Sequence, residues 1–230
     1  MKPRTAYRRA LNARKRQPLL EPFILLDPSI AVDYAEEVIK GRWKEAEPLI
    51  LSDPLLSYQY AERVIQGRWK AAESGIVADP VAAVLYAADV IKGRWRSAEN
   101  SIIQSPFWAV RYAKEVLGGR WTNAEKHIAE DANAANRYAQ DVLGARWRLA
   151  EPTISGDEAV AEDYALSVID GEWDEQLAAM CPVWLYLYAK QVVGGKLPEK
   201  LHKRAELMSF DDQFKHSKFL KRYLNTKKYQ

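Results

Sequence analysis

The sequence predicts an all-α fold, an α-solenoid of about six short helical hairpins, because the chain of 230 residues contains a tandem repeat of 26 residues. Tyrosine occurs six times at this interval, and tryptophan occurs six times nine residues later. These residues are Tyr34, Tyr60, Tyr86, Tyr112, Tyr138 and Tyr164, and Trp43, Trp69, Trp95, Trp121, Trp147 and Trp173. The composition, with 48% hydrophobic and 28% charged residues, is that of a globular protein.

The first helix of each repeat is predicted from its start signal and its apolar stripe. In Asp27-Pro28 the carboxylate can cap a helix, and proline at the first helical position loses no hydrogen bond. Apolar residues then follow from Ala31 to Ile39 at offsets of 0, 3, 4, 7 and 8, which is the pattern of a buried helical face. The same start signal recurs at Asp53-Pro54, Asp79-Pro80 and, with a hydroxyl, Ser105-Pro106.

Glycine is expected to end this helix, and a second helix is expected to follow. Gly41 can adopt the left-handed conformation that terminates helices. Matching glycines stand at Gly67, Gly93, Gly119 and Gly171. The fifth repeat has Ala145 there and Gly144 one residue earlier, which predicts a rebuilt corner. The second helix is predicted to run from about Trp43 to the next Asp-Pro.

Helices this short are not stable alone, so each repeat must bury its apolar stripe against its neighbour. The recurring tyrosines and tryptophans lie on these stripes, which favours packing between repeats over base stacking. We therefore predict a repeat array over residues 21–195, opening with a half repeat at Glu21-Pro22.

The predicted ends differ from the array. Residues 1–20 are interpreted as a basic N-terminal arm or cap, and residues 196–230 as basic C-terminal capping helices, including an amphipathic helix over 210–224. Before the C-terminal segment the tyrosine spacing shrinks to 24 at Tyr188, and Leu197 replaces the tryptophan. Residues 1–20 carry seven basic and no acidic residues, and residues 196–230 carry ten basic and four acidic ones. The overall net charge is only +3, so the body is acidic, and anionic partners are expected at the ends.

An arginine precedes five of the tryptophans, and a glutamate follows each of these tryptophans by four residues. These residues are Arg42, Arg68, Arg94, Arg120 and Arg146, and Glu47, Glu73, Glu99, Glu125 and Glu151. Both are lost together in the sixth repeat, which has Glu172 and Leu177. Paired loss favours a structural ladder of ion pairs over a strip of guanidinium groups that tracks phosphates.

The sequence offers little for catalysis or cofactor binding. Cys181 is the single cysteine and lies in an apolar run, so it is interpreted as a core residue. His127 occurs in one repeat only and has no partner at a known catalytic spacing. Gly194-Gly195-Lys196 lacks the first glycine and the hydroxyl residue of a phosphate-binding loop. We expect no enzyme activity, no metal and no cofactor.

The candidate protein-binding residues are those that depart from the repeat pattern on the long helices. They are Tyr58, Arg63, Phe107, Trp108, Arg111 and Arg137. Mixed charge on this face suits a protein better than a nucleic-acid duplex. The candidate nucleic-acid-binding residues lie in the N-terminal arm and are Arg4, Arg8, Arg9, Arg14, Lys15 and Arg16.

The repeated motif Tyr-Ala-x-x-Val-Ile-x-Gly-Arg-Trp-x-x-Ala-Glu resembles that of short tandem helical-repeat proteins of tailed bacteriophages and large DNA viruses. The resemblance covers roughly residues 21–195 and implies a viral protein that acts inside a cell, but no activity. The leading expectation is a non-enzymatic scaffold in a bacterial host cytoplasm that binds a host or viral protein through its solenoid face. The alternatives are RNA or DNA binding through the basic ends and a structural role in the virion. No membrane partner is expected, because the longest apolar run, 177–189, is too short to span a bilayer.

Overall fold

The computed structural model describes residues 1–169 and 174–225, and all regular structure within them is helical. This confirms the predicted all-α class. The chain forms two compact units, Met1–Gly118 and Gly119–Gln230. The predicted repeat positions Gly171, Glu172 and Trp173 lie outside the described residues.

Seventeen α-helices are described. In chain order they are α1 (Pro3–Ala13), α2 (Glu21–Ile24), α3 (Pro28–Tyr34), α4 (Glu47–Ile50), α5 (Pro54–Tyr60), α6 (Lys70–Ala78), α7 (Pro80–Leu85), α8 (Glu99–Ile103), α9 (Pro106–Tyr112), α10 (Thr122–Ile128), α11 (Ala132–Tyr138), α12 (Glu151–Ile154), α13 (Glu158–Tyr164), α14 (Glu175–Ala178), α15 (Pro182–Gln191), α16 (Glu199–Phe210) and α17 (Lys218–Asn225). Within the first unit α3, α5, α7 and α9 pack in succession, and within the second unit α11, α13 and α15 do the same.

The long helices that begin with α3, α5, α7, α9, α11 and α13 change from α-helical to π-helical at or directly after the repeat tyrosine, a change that the sequence pattern does not predict. The π-helical turns are Ala35–Ile39, Ala61–Ile65, Tyr86–Ile91, Ala113–Leu117, Ala139–Leu143 and Ala165–Ile169. In the first of them the N–H of Lys40 donates to the carbonyl of Ala35, five residues back. The long helix of a repeat therefore has two parts, the odd-numbered α-helix and the π-helical turn that continues it.

Helix starts follow the sequence prediction with one exception. The Asp27 carboxylate accepts from the N–H groups of Ser29 and Ile30, as an N-cap does. Asp53 and Asp79 cap their helices in the same way. The prediction for Ser105 is wrong, because its hydroxyl makes no capping hydrogen bond.

The left-handed residue at the corner stands one position earlier than predicted. Lys40, not Gly41, has the positive φ, of 57°, and the N–H of Gly41 donates to the carbonyl of Ala35 six residues back. Gln66, Lys92, Gly118 and Gly144 are the left-handed residues of the next four repeats. The predicted rebuilt corner in the fifth repeat is therefore wrong: Gly144 occupies the left-handed position, and Ala145 replaces a glycine whose Cβ position is open in other repeats.

The short second helices begin later than predicted in some repeats. Trp43 precedes α4 by four residues, whereas Trp69 and Trp121 directly precede α6 and α10. The predicted burial of the aromatic ladder is confirmed, since all six repeat tyrosines are fully buried and the five described repeat tryptophans are at most 6% exposed. Tyr34 and Trp43 contact each other edge to face, with ring centroids 5.0 Å apart.

A four-residue network, which we call the repeat clamp, joins each repeat to the next. Arg42 pairs bidentately with Glu47, through Nε–Oε1 and Nη2–Oε2 distances of 2.8 and 2.9 Å. The buried hydroxyl of Tyr60, from the next repeat, accepts from the backbone N–H of Trp43 at 2.6 Å and donates to Glu47 Oε1 at 3.3 Å. Burial raises the pKa of Tyr60 to about 12, so the hydroxyl stays protonated and serves both partners.

The clamp recurs in both units with the same connections. The Arg, Trp, Glu and next-repeat Tyr of the other copies are Arg68, Trp69, Glu73 and Tyr86; Arg94, Trp95, Glu99 and Tyr112; Arg120, Trp121, Glu125 and Tyr138; and Arg146, Trp147, Glu151 and Tyr164. In the last of these, Arg146 also binds Asp174 at 2.8 Å and is 9% exposed.

The clamp begins one repeat earlier than the sequence motif. Arg16 pairs with Glu21 at 2.7 and 3.2 Å, and the N–H of Gln17 donates to the hydroxyl of Tyr34 at 2.9 Å. The helix α1 packs on α3, as α3 packs on α5. Residues 3–24 therefore contain both helices of a repeat, and Arg16 is its clamp arginine.

The C-terminal helices close the second unit. Leu201, Ala205 and Met208 of α16 pack with Leu220 and Tyr223 of α17 in one core cluster. The predicted single helix over 210–224 is wrong: α16 ends at Phe210, and α17 begins after Ser217, whose hydroxyl accepts from two backbone N–H groups of α17. The backbone of Leu197 hydrogen-bonds the Tyr223 hydroxyl, which repeats part of the clamp with a residue from the cap.

The corner geometry predicts opposite effects of two alanine substitutions. Gly144→Ala places a side chain at φ 59° and should lower the free energy of unfolding by about 1 kcal/mol. Gly67→Ala, at a position that lacks the left-handed φ and has open space for a Cβ, should raise it by about 0.5 kcal/mol. Urea denaturation of both variants checks the assignment; equal shifts of the same sign would refute it.

The clamp predicts that removal of a single tyrosine hydroxyl group lowers the stability of the fold. Tyr86→Phe leaves the N–H of Trp69 buried without an acceptor, which should lower the free energy of unfolding by about 1–3 kcal/mol. Tyr58→Phe is the matched control, because its hydroxyl bonds Asp89 at an exposed site and its loss should cost less than about 1 kcal/mol. If denaturant unfolding shows that both variants lose the same free energy of unfolding, the clamp does not contribute specifically to stability.

The clamp also predicts acid sensitivity. Hydrogen bonding to Arg68 lowers the pKa of Glu73 below its ordinary value. A carboxylate whose folded-state pKa is depressed stabilises the fold above the unfolded-state pKa, and this stability is lost as the pH falls through the folded-state pKa. We expect Glu73→Gln to make the free energy of unfolding less dependent on pH below about 4.5, measured by urea denaturation between pH 3 and 7. The prediction is contradicted if, in the acid range, the free energy of unfolding of Glu73→Gln depends on pH as strongly as that of the unaltered chain.

Candidate functional site

The long helices of the first unit carry a row of apolar side chains that are exposed (Leu55, Phe107) or half-buried (Val81, Leu85, Trp108), and we call these five residues the apolar patch. Leu55, Val81 and Phe107 occupy the same position in three successive repeats, directly after the proline that begins the long helix. Phe107 is 50% exposed and Leu55 is 39% exposed. The patch therefore lies along consecutive helices, α5, α7 and α9, that pack against one another.

The aromatic end of the patch is preorganised by its own contacts. The rings of Phe107 and Trp108 meet edge to face, with centroids 5.5 Å apart. The guanidinium of Arg111 lies over the Trp108 ring at 5.1 Å, within the range of a cation–π contact. Arg111 also pairs with Glu115 at 2.8 Å, so three predicted binding residues form one ordered group.

Tyr58 lies at the polar border of the patch and links two repeats. Its hydroxyl donates to Asp89 at 2.7 Å. Burial and this hydrogen bond raise the pKa of Tyr58. The positive charge of Arg111, on α9, partly offsets this rise, so Arg111 lies close enough to Tyr58, on α5, for the two side chains to interact electrostatically. The structure thus brings Tyr58, Phe107, Trp108 and Arg111 to one region.

Two other candidate residues do not join this group. Arg63 binds Asp33 at 2.9 Å and Glu36, both on the preceding repeat, and its side chain is 31% exposed. Arg63 therefore makes a contact between two repeats. Arg137 is exposed but belongs to the second unit.

The predicted nucleic-acid residues are distributed over α1 and the turn that follows it. Arg4, Arg8 and Arg9 are exposed on α1. Tyr34 and Ala35, the residues 26 positions after Arg8 and Arg9, are buried. The first repeat thus has charged groups where later repeats have packing residues, as a terminal capping repeat requires.

The remaining N-terminal candidates lie at the corner after α1. Arg14 is left-handed with φ 49°, Lys15 is exposed, and Arg16 belongs to the repeat clamp. The sequence reasoning missed this role of Arg16, although Arg16 and Glu21 stand 26 residues before Arg42 and Glu47. It also missed Leu55, Val81 and Leu85, which could have been found as apolar residues at repeat positions that are polar elsewhere.

Cys181, the single cysteine of the chain, lies in the second unit beside a cavity. A cavity of about 200 Å³ in the second unit is lined by Cys181, Glu158, His216 and Ser217, among others. Burial raises the pKa of the Cys181 thiol to about 12, so it stays protonated and poorly nucleophilic at neutral pH. Over residues 1–169 and 174–225, no group of three or more His, Cys, Asp or Glu side chains is placed to hold a metal ion. His127 lies 3.8 Å from the exposed Glu130.

Comparison with other proteins gives no assignment. None of the helices in the described part of the chain is long and apolar enough to cross a bilayer. Neither family models, nor curated proteins, nor solved structures give a match to this chain.

Proposed function

We propose that this protein is a non-enzymatic interaction scaffold whose repeats stack as an α-solenoid and whose long helices bind a protein. The observation that carries the proposal is the apolar patch with its aromatic and arginine side chains. Protein interfaces are enriched in such residues at their centres and are surrounded by polar groups. Phe107 and Leu55 are exposed, whereas the repeat tyrosines and tryptophans of the first unit are buried.

The border of the patch supports a protein partner. Tyr58–Asp89 and Arg111–Glu115 place polar and charged groups of both signs beside the apolar side chains. These groups are held by contacts within the chain, so little side-chain entropy is lost when a partner binds. A viral origin and a setting in a bacterial host cytoplasm are part of the proposal, and they are supported by the sequence resemblance alone.

The proposal predicts that capture of a partner depends on the patch. Nuclease-treated bacterial lysate is passed over the immobilised chain, and retained proteins are compared with those retained by Leu55→Ser/Phe107→Ser. A partner that buries Phe107 as an anchor should lose about tenfold or more in affinity, since loss of an interface hot spot costs 2 kcal/mol or more.

The matched control is Leu19→Ser/Leu149→Ser, which removes two side chains that are 89% and 59% exposed outside the patch. This variant should retain the partner as the unaltered chain does. Equal loss in both double variants, or retention by the patch variant, contradicts the assignment of the patch.

A further inference from the structure

Over residues 14–104 of the first unit, charge is segregated by position within the repeat. The long-helix segments outside this range differ: residues 1–13 carry four basic and no acidic residues, and residues 105–117 carry two basic and one acidic residue. The long-helix segments 27–39, 53–65 and 79–91 contain eight acidic residues and one basic residue. The corner and short-helix segments 14–26, 40–52, 66–78 and 92–104 contain eleven basic and five acidic residues. The equivalent segments of the second unit that are fully described, 119–130 and 144–156, are nearly balanced.

Most of the acidic residues in the corner segments are already neutralised inside the chain. Glu21, Glu47, Glu73 and Glu99 each bind the clamp arginine of their own repeat. The remaining basic side chains are exposed, and within the described part of the chain none of them forms an ion pair. They are Arg14, Lys15, Lys40, Lys44, Lys70, Lys92 and Arg96, which we call the corner stripe.

Contacts join the first corner to the second and the third corner to the fourth. Arg16 Nη2 of the first corner lies 3.7 Å from Glu45 Oε1 of the second. Further along, α6, which begins at Lys70, contacts the 3₁₀ turn Arg96–Ala98 of the next repeat. The hydroxyl of Ser101, on α8, donates to the carbonyl of Val77 on α6. Since adjacent helices pack about 8–10 Å apart, successive corners present a positive charge at this interval.

We propose that the corner stripe binds the phosphodiester backbone of a nucleic acid. The stripe offers flexible ammonium and guanidinium groups, which bind phosphates as charges. It offers no base-stacking surface, because Trp43, Trp69 and Trp95 are buried beneath it. Recognition is therefore independent of base sequence, and it uses a surface distinct from the apolar patch on the long helices.

The test measures fluorescence anisotropy of labelled 30-nucleotide single-stranded DNA, single-stranded RNA and duplex DNA between 50 and 300 mM salt. The stripe variant carries Lys40→Gln, Lys44→Gln, Lys70→Gln, Lys92→Gln and Arg96→Gln. The control variant loses the same charge from exposed sites in the second unit, through Lys126→Gln, Lys190→Gln, Lys196→Gln, Lys200→Gln and Lys221→Gln. Circular dichroism and urea denaturation establish that both variants are folded.

The unaltered chain should bind all three probes at 50 mM salt, with affinity falling steeply as salt rises. The stripe variant should lose at least tenfold in affinity at 100 mM salt, and the slope of log K against log salt should fall by about three for single strands, since each lost phosphate contact removes about 0.7. The control variant should lose less than threefold.

Absence of binding at 50 mM salt, equal losses of affinity in the two variants, or a preference above tenfold for one base sequence would each overturn the proposal. A further variant, Arg4→Gln/Arg8→Gln/Arg9→Gln, separates the stripe from α1. If it loses more affinity than the stripe variant, binding belongs to the N-terminal helix and the proposal is wrong. Because none of these variants alters the apolar patch, protein capture by that patch stands or fails separately.

Discussion

The fold depends on a buried tyrosine hydroxyl that satisfies two groups of the preceding repeat at once. A backbone N–H at a tight corner is costly to bury without an acceptor, and a bare carboxylate beside it would be costlier. The Tyr60 hydroxyl accepts from the Trp43 N–H and donates to Glu47, and Arg42 neutralises the carboxylate from the solvent side. A repeat whose short helix can be a single turn, such as Glu47–Ile50, is thereby fixed to its neighbour by polar geometry as well as by apolar packing.

The positions that hold a repeat to its neighbour differ in burial from the positions that remain at the surface. The aromatic ladder is buried and the clamp glutamates are largely buried. The clamp arginines Arg42, Arg68 and Arg94 are about half exposed, and they lie among other exposed positions of the corners. In the first unit the long helices expose apolar side chains such as Phe107 and Leu55, and the corners expose basic side chains such as Lys70. The apolar patch and the corner stripe are thus two chemically different surfaces of the first unit.

The sequence predicts the parts of this structure that recur, and it fails where a role depends on the neighbouring repeat. The 26-residue period predicts the helices and the burial of Tyr34 and Trp43, because both follow from periodic apolar residues. It does not predict the π-helical turns or the left-handed Lys40, since no residue type there demands such a backbone. Arg16 is missed because its repeat has Gln17 in place of tryptophan, although the hydrogen bond is made by the backbone. The candidate site is recognisable only in part: Phe107 stands out as an aromatic residue that breaks the pattern, whereas Leu55, Val81 and Leu85 stand out only when they are compared with the polar residues at the same positions of other repeats.

Amide hydrogen exchange at the repeat tryptophans tests the clamp most directly. The backbone N–H groups of Trp43, Trp69, Trp95, Trp121 and Trp147 lie at corners, outside the α-helices, yet each donates to a buried tyrosine hydroxyl at 2.6–2.7 Å. We predict that these amides exchange only through opening reactions close in free energy to unfolding of their unit, while neighbouring corner amides such as that of Lys70 exchange fast. Fast exchange at the tryptophans, at the rates of ordinary loop amides, would contradict the account.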